Sequence, residues 1–250
     1  LGGLLFGYDW DVIGGAKPFY EAFFGIQRAP AIQGFVMASS ILGCLLGVTT
    51  TGWLADRYGR KPLLAVASVI FIISAVGTGT CNTLPWFIFC RLIGGIAIGV
   101  ASNLSPMYLA EVSPAEVRGR FVSVNQLTIV LGILSAQIAS WLIAEPTLPD
   151  SNILASWNGQ TGWRIMFWAE LVPAVLFFIL IFFVPESPRW LGTQLKYEQS
   201  RRIFIRIGGQ EYANSQIEPM KSVSTEGCRK KGYRMLFQER LGKILLTGIG

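Results

Sequence analysis

The chain contains 250 residues, of which 52% are hydrophobic and only 14% are charged, and its net charge is +6. Soluble domains carry about 25% charged residues, so this composition argues against a soluble enzyme. Because the chain has no histidine, His-based catalytic triads and the commonest metal ligand are excluded. The four cysteines are scattered and form no C-x-x-C pair. The composition predicts a membrane protein without a metal site.

Five stretches are long and apolar enough to cross a hydrocarbon core of roughly 30 Å, which takes about 20 helical residues. These stretches are residues 32–55, 63–81, 84–110, 121–144 and 165–184. Residues 1–16 are apolar but hold Asp9 and Asp11, and we interpret them as the remainder of a first span. An apolar run begins again at residues 241–250, which predicts the start of a seventh span. We therefore expect the chain to be truncated at both ends.

Small and basic residues add detail to this predicted bundle. The motifs Gly43-x-x-x-Gly47 and Gly95-x-x-x-Gly99 predict close helix packing, although glycine is common in membrane helices generally. Most of the 21 Lys and Arg residues lie on one face, in two loops near residues 56–62 and 113–120 and after residue 184. By the positive-inside rule this face and the N-terminus are cytoplasmic. The asymmetry explains the basic charge without a nucleic-acid partner.

The expected domain organisation follows from these observations. Residues 1–184 form a six-span bundle whose first span is truncated. Residues 185–240 form a cytoplasmic linker with short amphipathic helices, a pattern typical of helices at a membrane surface. Residues 241–250 begin the next span.

Five motifs at the predicted span boundaries carry a family resemblance. Residues 52–61, Gly-Trp-Leu-Ala-Asp-Arg-Tyr-Gly-Arg-Lys, and residues 91–95, Arg-Leu-Ile-Gly-Gly, resemble elements of the major facilitator superfamily. Residues 3–9, 111–119 and 185–191 resemble motifs of the sugar porter family within it. The resemblance implies an all-α membrane protein of twelve spans in two halves. This chain would be the N-terminal six-helix bundle with its cytoplasmic linker helices.

Three charged residues within the predicted spans are candidates for proton coupling, because an intramembrane charge costs roughly 2.5–3.5 kcal/mol on insertion scales. Asp9, Arg91 and Glu170 each lie about 9–12 Å from the outer face, so we expect them to share one layer. A purely structural ion pair is the alternative. Proton-linked sugar porters resemble this chain in carrying Asp at position 9, whereas passive facilitators typically carry Asn. Asp11 departs from the family pattern and, being about 200° further around the helix, cannot share the face of Asp9.

Sugar recognition needs hydroxyl or amide groups beside aromatic faces. The resemblance assigns sugar contact to Phe6 and Gln126, and the alternative for Gln126 is an interhelical hydrogen bond. Gln137 lies roughly 20° from the face of Gln126, so both side chains could line one cavity. Packing is the favoured alternative for Gln137.

Acidic and basic residues alternate at the predicted cytoplasmic ends of spans two, four, five and six. The resemblance implies that they form a salt-bridge lock that holds the cytoplasmic side shut. The alternative is a solvated face that only signals topology, and this explanation suffices for Arg229, Lys230 and Lys231. The candidate gate residues are Asp56, Arg57, Arg60, Glu111, Arg118, Glu186 and Arg189.

The predicted function is proton-coupled symport of a hexose or pentose by alternating access, and not an enzymatic activity. The alternatives are a passive sugar facilitator and a transporter-like sugar sensor. Since the sequence has no P-loop, ATP-driven transport is not supported and no cofactor is expected. The expected partners are a sugar, protons, the lipid bilayer and a missing C-terminal six-span half. Residues 14–20 resemble bacterial members, which favours a bacterial inner membrane.

Overall fold

The computed structural model describes residues 1–146 and 153–225, with side chains as far as residue 221. These described residues form helices and no strands. The α-helices are α1 (Gly2–Phe23), α2 (Pro30–Tyr58), α3 (Arg60–Thr80), α4 (Leu84–Val112), α5 (Arg118–Ile143), α6 (Trp163–Ala169), α7 (Leu171–Phe183), α8 (Pro188–Thr193) and α9 (Tyr197–Thr225). The chain divides into two compact units, Leu1–Trp190 and Leu191–Gly250.

The membrane-capable helices coincide with the five apolar stretches of the sequence. They are α2, α3, α4, α5 and the helical run Asn158–Phe183. That run begins as a π-helix, Asn158–Gly162, and continues through α6 and α7. Helix α1 has 22 residues, about 33 Å at 1.5 Å per residue, which is long enough to accompany them across a hydrocarbon core.

Helix α1 extends further than the sequence suggested. We interpreted residues 1–16 as the remainder of the first span, which would leave Lys17 in the loop that follows; this is wrong, because the helix continues to Phe23. The Nζ of Lys17 lies 3.8 Å from the Oε1 of Glu21 one turn later, which partly offsets both charges. The last turns are also held by aromatic packing, since the Tyr20 ring contacts Phe87 with centroids 5.3 Å apart.

The last membrane-capable run is interrupted at Glu170, where α6 ends and α7 begins. Pro173 lies three residues later and has no N–H to donate to the carbonyl of Ala169, its partner four residues earlier. The interruption therefore follows directly from the proline. It falls at a residue predicted to be functional.

Helices α2 and α4 pack closely through the two small-residue motifs, as the sequence predicted. A Cβ atom added to Gly43 would lie 2.1 Å from the carbonyl oxygen of Leu92. A Cβ atom on Gly95 would lie 2.1 Å from the carbonyl oxygen of Ser40. Each helix thus places glycine against the other's backbone. Helix α1 packs along α5 in a second extensive contact.

The second unit is described through Thr225 and contains α9, which bends at Gly209, where φ is +83°. Its small core contains Phe204, Ala213 and Ile217. The basic cluster Arg229–Lys231 and the expected seventh-span start at residues 241–250 lie outside the described residues.

Candidate functional site

A buried ion pair joins α1 to α4. Asp9 is 7% exposed and Arg91 is 4% exposed, and the Nη1 of Arg91 donates a hydrogen bond to the Oδ1 of Asp9. The Oγ of Ser40, on α2, donates to the Oδ2 of Asp9 at 3.0 Å. Both carboxylate oxygens of Asp9 are therefore engaged, by groups from two other helices.

Glu170 completes this cluster from the interruption between α6 and α7. It is 2% exposed and lies close enough to Asp9 and Arg91 for their charges to act on it. Its Oε1 has no hydrogen-bond partner among the described residues. The three charges predicted to share one layer thus lie near one another, as an Asp9–Arg91 ion pair with the Glu170 carboxyl group close by. Two neighbouring carboxylates repel each other when both are ionised, so the arrangement offers a place for a proton.

A cavity of about 240 Å³ opens beside the cluster between α1, α2 and α4. Its wall includes Asp9 and Arg91 together with Phe6 and Trp10, whose rings stack with centroids 6.5 Å apart. Ser40 contributes a hydroxyl group to the same wall. The cavity therefore combines apolar ring faces with polar groups, which are the two surfaces that a sugar ring requires.

The two candidate glutamines lie elsewhere. Gln126 and Gln137 are exposed on α5, and neither lines this cavity. The Nε2 of Gln137 donates to the Oδ1 of Asp11 at 3.3 Å, so Gln137 contacts α1 by a hydrogen bond. Both lie away from this cavity because α5 packs beside α1 on its other face, and their shared role in a sugar cavity stays a prediction.

Sequence reasoning missed Ser40 and Trp10. Ser40 is a small polar residue in a charge-free span, where serine usually satisfies its own helix backbone. The only available signal was its position three residues before Gly43, within the stretch that packs against α4.

A second charged cluster lies at the basic end of the bundle, around Arg60. The side chain of Arg60 is only 7% exposed, and its Nη2 lies 2.9 Å from the Oε1 of Glu111 and 3.4 Å from the Oδ1 of Asp56. Its Nη1 donates to the carbonyl of Ala55 at 3.0 Å. One arginine therefore joins the ends of α2, α3 and α4.

Glu186, in the segment after α7, joins that segment to the start of α3 beside the Arg60 cluster. Its Oε1 accepts hydrogen bonds from the backbone N–H groups of Arg60 at 3.0 Å and Ser187 at 2.8 Å. A carboxylate at the start of α3 is favoured by the helix dipole and by the N–H groups left free there. Gly59 permits this approach, because its φ is +97° and an added Cβ atom would lie 2.5 Å from the Oε2 of Glu186.

Three arginines predicted for the same network form no ion pair among the described residues, which corrects that expectation. Arg57 is exposed, and its guanidinium lies 5.5 Å from the ring centroids of both Trp53 and Tyr58. Arg118 is half-buried, with its Nε unpartnered among the described residues. Arg189 is exposed on α8. The geometry supports a smaller cluster centred on Arg60 and Glu186.

Comparison with known proteins agrees with this fold. The model of the family described as "Sugar (and other) transporter" matches residues 1–249. The D-xylose-proton symporter of Escherichia coli K12 is 37% identical over 274 residues, covering 100% of this chain and 52% of the relative. The arabinose-proton symporter of Bacillus subtilis strain 168 is 34% identical over 249 residues, again covering 100% of this chain and 52% of the relative.

A solved structure gives the same result. The major facilitator superfamily proton:xylose symporter XylE, bound to 6-bromo-6-deoxy-D-glucose, superposes with a TM-score of 0.84 at 38% identity. The match covers 94% of this chain and 53% of that one. The protein thus has the fold of the N-terminal half of a major facilitator superfamily transporter. It belongs to the sugar transporter family, and the chain spans about half the length of the curated relatives it matches.

Proposed function

We propose that this chain is the proton-binding half of a sugar symporter that imports a hexose or pentose by alternating access. The observation that carries the proposal is the buried Asp9–Arg91 pair, joined by Glu170 and lying beside an aromatic-lined cavity. Relatives described as sugar-proton symporters support it. The proposal includes a cytoplasmic N-terminus, a bacterial inner membrane and a C-terminal six-span half that completes the sugar site.

In the proposed proton step, Asp9 gives up its ion pair with Arg91 when it binds a proton. While Asp9 is ionised, Arg91 joins α4 to α1 through the ion pair. Protonation of Asp9 removes that attraction and releases Arg91, which changes the relative free energies of the outward- and inward-facing states. We propose that Glu170, whose charge interacts with both groups, then receives Arg91 or shares the proton, so that the guanidinium does not remain buried without an anion.

Sugar binding is assigned to groups on both sides of α1. Phe6 supplies a ring face from the cavity, and we propose Gln126 on α5 as the amide that binds hydroxyl groups. Gln126 is exposed, so its polar atoms are accessible to a ligand. Gln137 belongs to the same proposal as part of a separate sugar subsite.

For the gate, we propose that Arg60 holds the cytoplasmic side closed in the outward-facing state. Arg60→Ala would break a largely buried ion pair, a change that costs about 3–5 kcal/mol, and we expect the inward-open population to rise at least about tenfold. The measurement is pulsed EPR between spin labels on the two halves of the full-length protein. Arg57→Ala is the matched control, since Arg57 lies three residues earlier in the last turn of α2 and forms no ion pair among the described residues. Equal distance distributions for the two variants would contradict the gate.

The function is tested by uptake of labelled pentoses and hexoses into vesicles that carry the full-length protein, with and without a protonophore. Accumulation that collapses with the protonophore supports symport. Equilibration that is indifferent to the protonophore identifies a passive facilitator. Sugar binding without uptake identifies a sensor, and the absence of both binding and uptake overturns the assignment to sugars.

A further inference from the structure

The hydrogen bond between Asp11 and Gln137 is a polar contact that the proposed proton and sugar steps do not use. Gln137 is exposed and Asp11 is half-buried, with the Nε2 and Oδ1 atoms 3.3 Å apart. A hydrogen bond between partly solvated groups contributes little to stability, because water competes for both partners. Helix docking alone therefore does not explain the pair.

Packing on either side already holds α1 against α5. Towards the start of α1, a Cβ atom on Gly7 would lie 2.0 Å from the carbonyl oxygen of Ile129. Towards its end, a Cβ atom on Gly15 would lie 2.9 Å from the Oγ of Ser140. Because Asp11 and Gln137 lie between these two contacts, their backbones are fixed in a preset register. This gives the pair the rigid support that a binding group needs.

The chemistry of the pair determines which atoms face a ligand. An ionised carboxylate only accepts hydrogen bonds, so Gln137 must direct its NH₂ group toward Asp11. The amide oxygen of Gln137 and the Oδ2 of Asp11 have no hydrogen-bond partner among the described residues. Both atoms are acceptors, and the second N–H of the amide is a donor. Adjacent hydroxyl groups of a sugar match this arrangement.

The pair is also too far from Gln126 to share one sugar ring with it. Eleven residues of helix separate Gln126 from Gln137, about 16 Å along α5. Asp11, by contrast, lies only about 3 Å further along α1 than Asp9. The pair therefore lies near the depth of the Asp9–Arg91 cluster, well outward of Gln126.

We propose that Asp11 is a positioning residue that holds Gln137 as the hydroxyl-binding amide of an outer sugar subsite, which the substrate occupies before it reaches Gln126. The inference rests on the proposed sugar transport. It gives a role to an aspartate at a position where the family pattern has a small or apolar residue.

The test compares Asp11→Ala with Asp11→Asn in the full-length protein, using sugar uptake and, independently, sugar binding followed by tryptophan fluorescence. Asp11→Ala frees the Gln137 amide, and we expect KM and the Kd for sugar to rise about three- to tenfold with kcat little changed. Asp11→Asn keeps a carbonyl acceptor for the Nε2, so we expect values near those of the parent. Ser135→Ala is the control, because the Ser135 Oγ bonds only the Gly132 carbonyl of its own helix at 2.8 Å.

Several outcomes would overturn the subsite. One is an unchanged KM and Kd in Asp11→Ala. A second is equal damage in Asp11→Asn, which would assign Asp11 a role through its charge. A third is a uniform fall in kcat with lower Tm, which would make the contact structural. Because binding is measured separately, a parent that binds sugar without transporting it still tests the subsite, whereas a parent that binds no sugar overturns this inference and the proposed function together.

Discussion

Asp9→Asn is expected to abolish uphill sugar accumulation while sugar exchange across the membrane continues. The amide cannot exchange a proton at physiological pH, so a proton gradient can no longer drive the conformational change. The amide still fits beside Ser40 and Arg91, and Glu170 offers Arg91 an alternative anion. The variant therefore removes the acidic group of Asp9 and still leaves an anion near the guanidinium of Arg91. A buried guanidinium without an anion would itself be strongly destabilising.

The measurement is the steady-state ratio of labelled sugar inside and outside energised vesicles, together with counterflow exchange. Glu21→Gln serves as the control, since it removes an acid from the same helix in a separate ion pair with Lys17. We expect that variant to accumulate sugar like the parent. Accumulation by Asp9→Asn that still collapses with a protonophore would show that the proton binds elsewhere and that the Asp9–Arg91 pair is structural.

Gly95→Ala is expected to destabilise the packing of α2 against α4. The added Cβ atom would lie 2.1 Å from the carbonyl oxygen of Ser40, and backbone cannot move aside as a flexible side chain can. Overpacking of this kind costs about 1–3 kcal/mol, and since α2 and α4 meet along their length we expect the upper end of that range. For a chain of this size the Tm should fall by about 5 °C or more.

Gly34→Ala is the matched comparison, because Gly34 lies on α2 with no atom within 4 Å of an added Cβ. Alanine is favoured over glycine within a helix, so that variant should be as stable as the parent or slightly more stable. Thermal unfolding in detergent, followed by circular dichroism, gives the Tm of each variant and so distinguishes them. Equal Tm values would show that α2 and α4 can separate without loss of packing energy.

The helices could be predicted because charge-free runs near 20 residues long have few alternatives to a membrane span. The burial of Asp9, Arg91 and Glu170 at one depth was likewise predictable, since each charge lies a countable number of residues from a span end. Lys17 was misassigned for the opposite reason. A charge normally marks the end of a span, but here the helix continues past Lys17, and the packing of Tyr20 on Phe87 of α4 helps to hold its last turns.

Side-chain partners were predicted less well, because they depend on contacts between distant parts of the chain. Glu186 accepts a hydrogen bond from the backbone N–H of Arg60, which lies 126 positions earlier in the chain. No local pattern in the sequence predicts a contact between residues so far apart. Arg57, at the end of α2, lies three residues from Arg60, at the start of α3, yet it stacks on neighbouring rings and forms no ion pair among the described residues. Helical periodicity placed Gln126 and Gln137 on a similar face of α5 without showing which neighbouring helix that face meets.

The pairing of helices in the bundle is reciprocal. If α1, α2 and α3 are counted as one trio, and α4, α5 and the run Asn158–Phe183 as another, the first helix of each trio packs along the second helix of the other. The aspartate of the charge pair comes from the first helix of one trio, and its arginine comes from the first helix of the other. Neither trio alone contains both partners, so the ion pair forms only where the two trios are assembled.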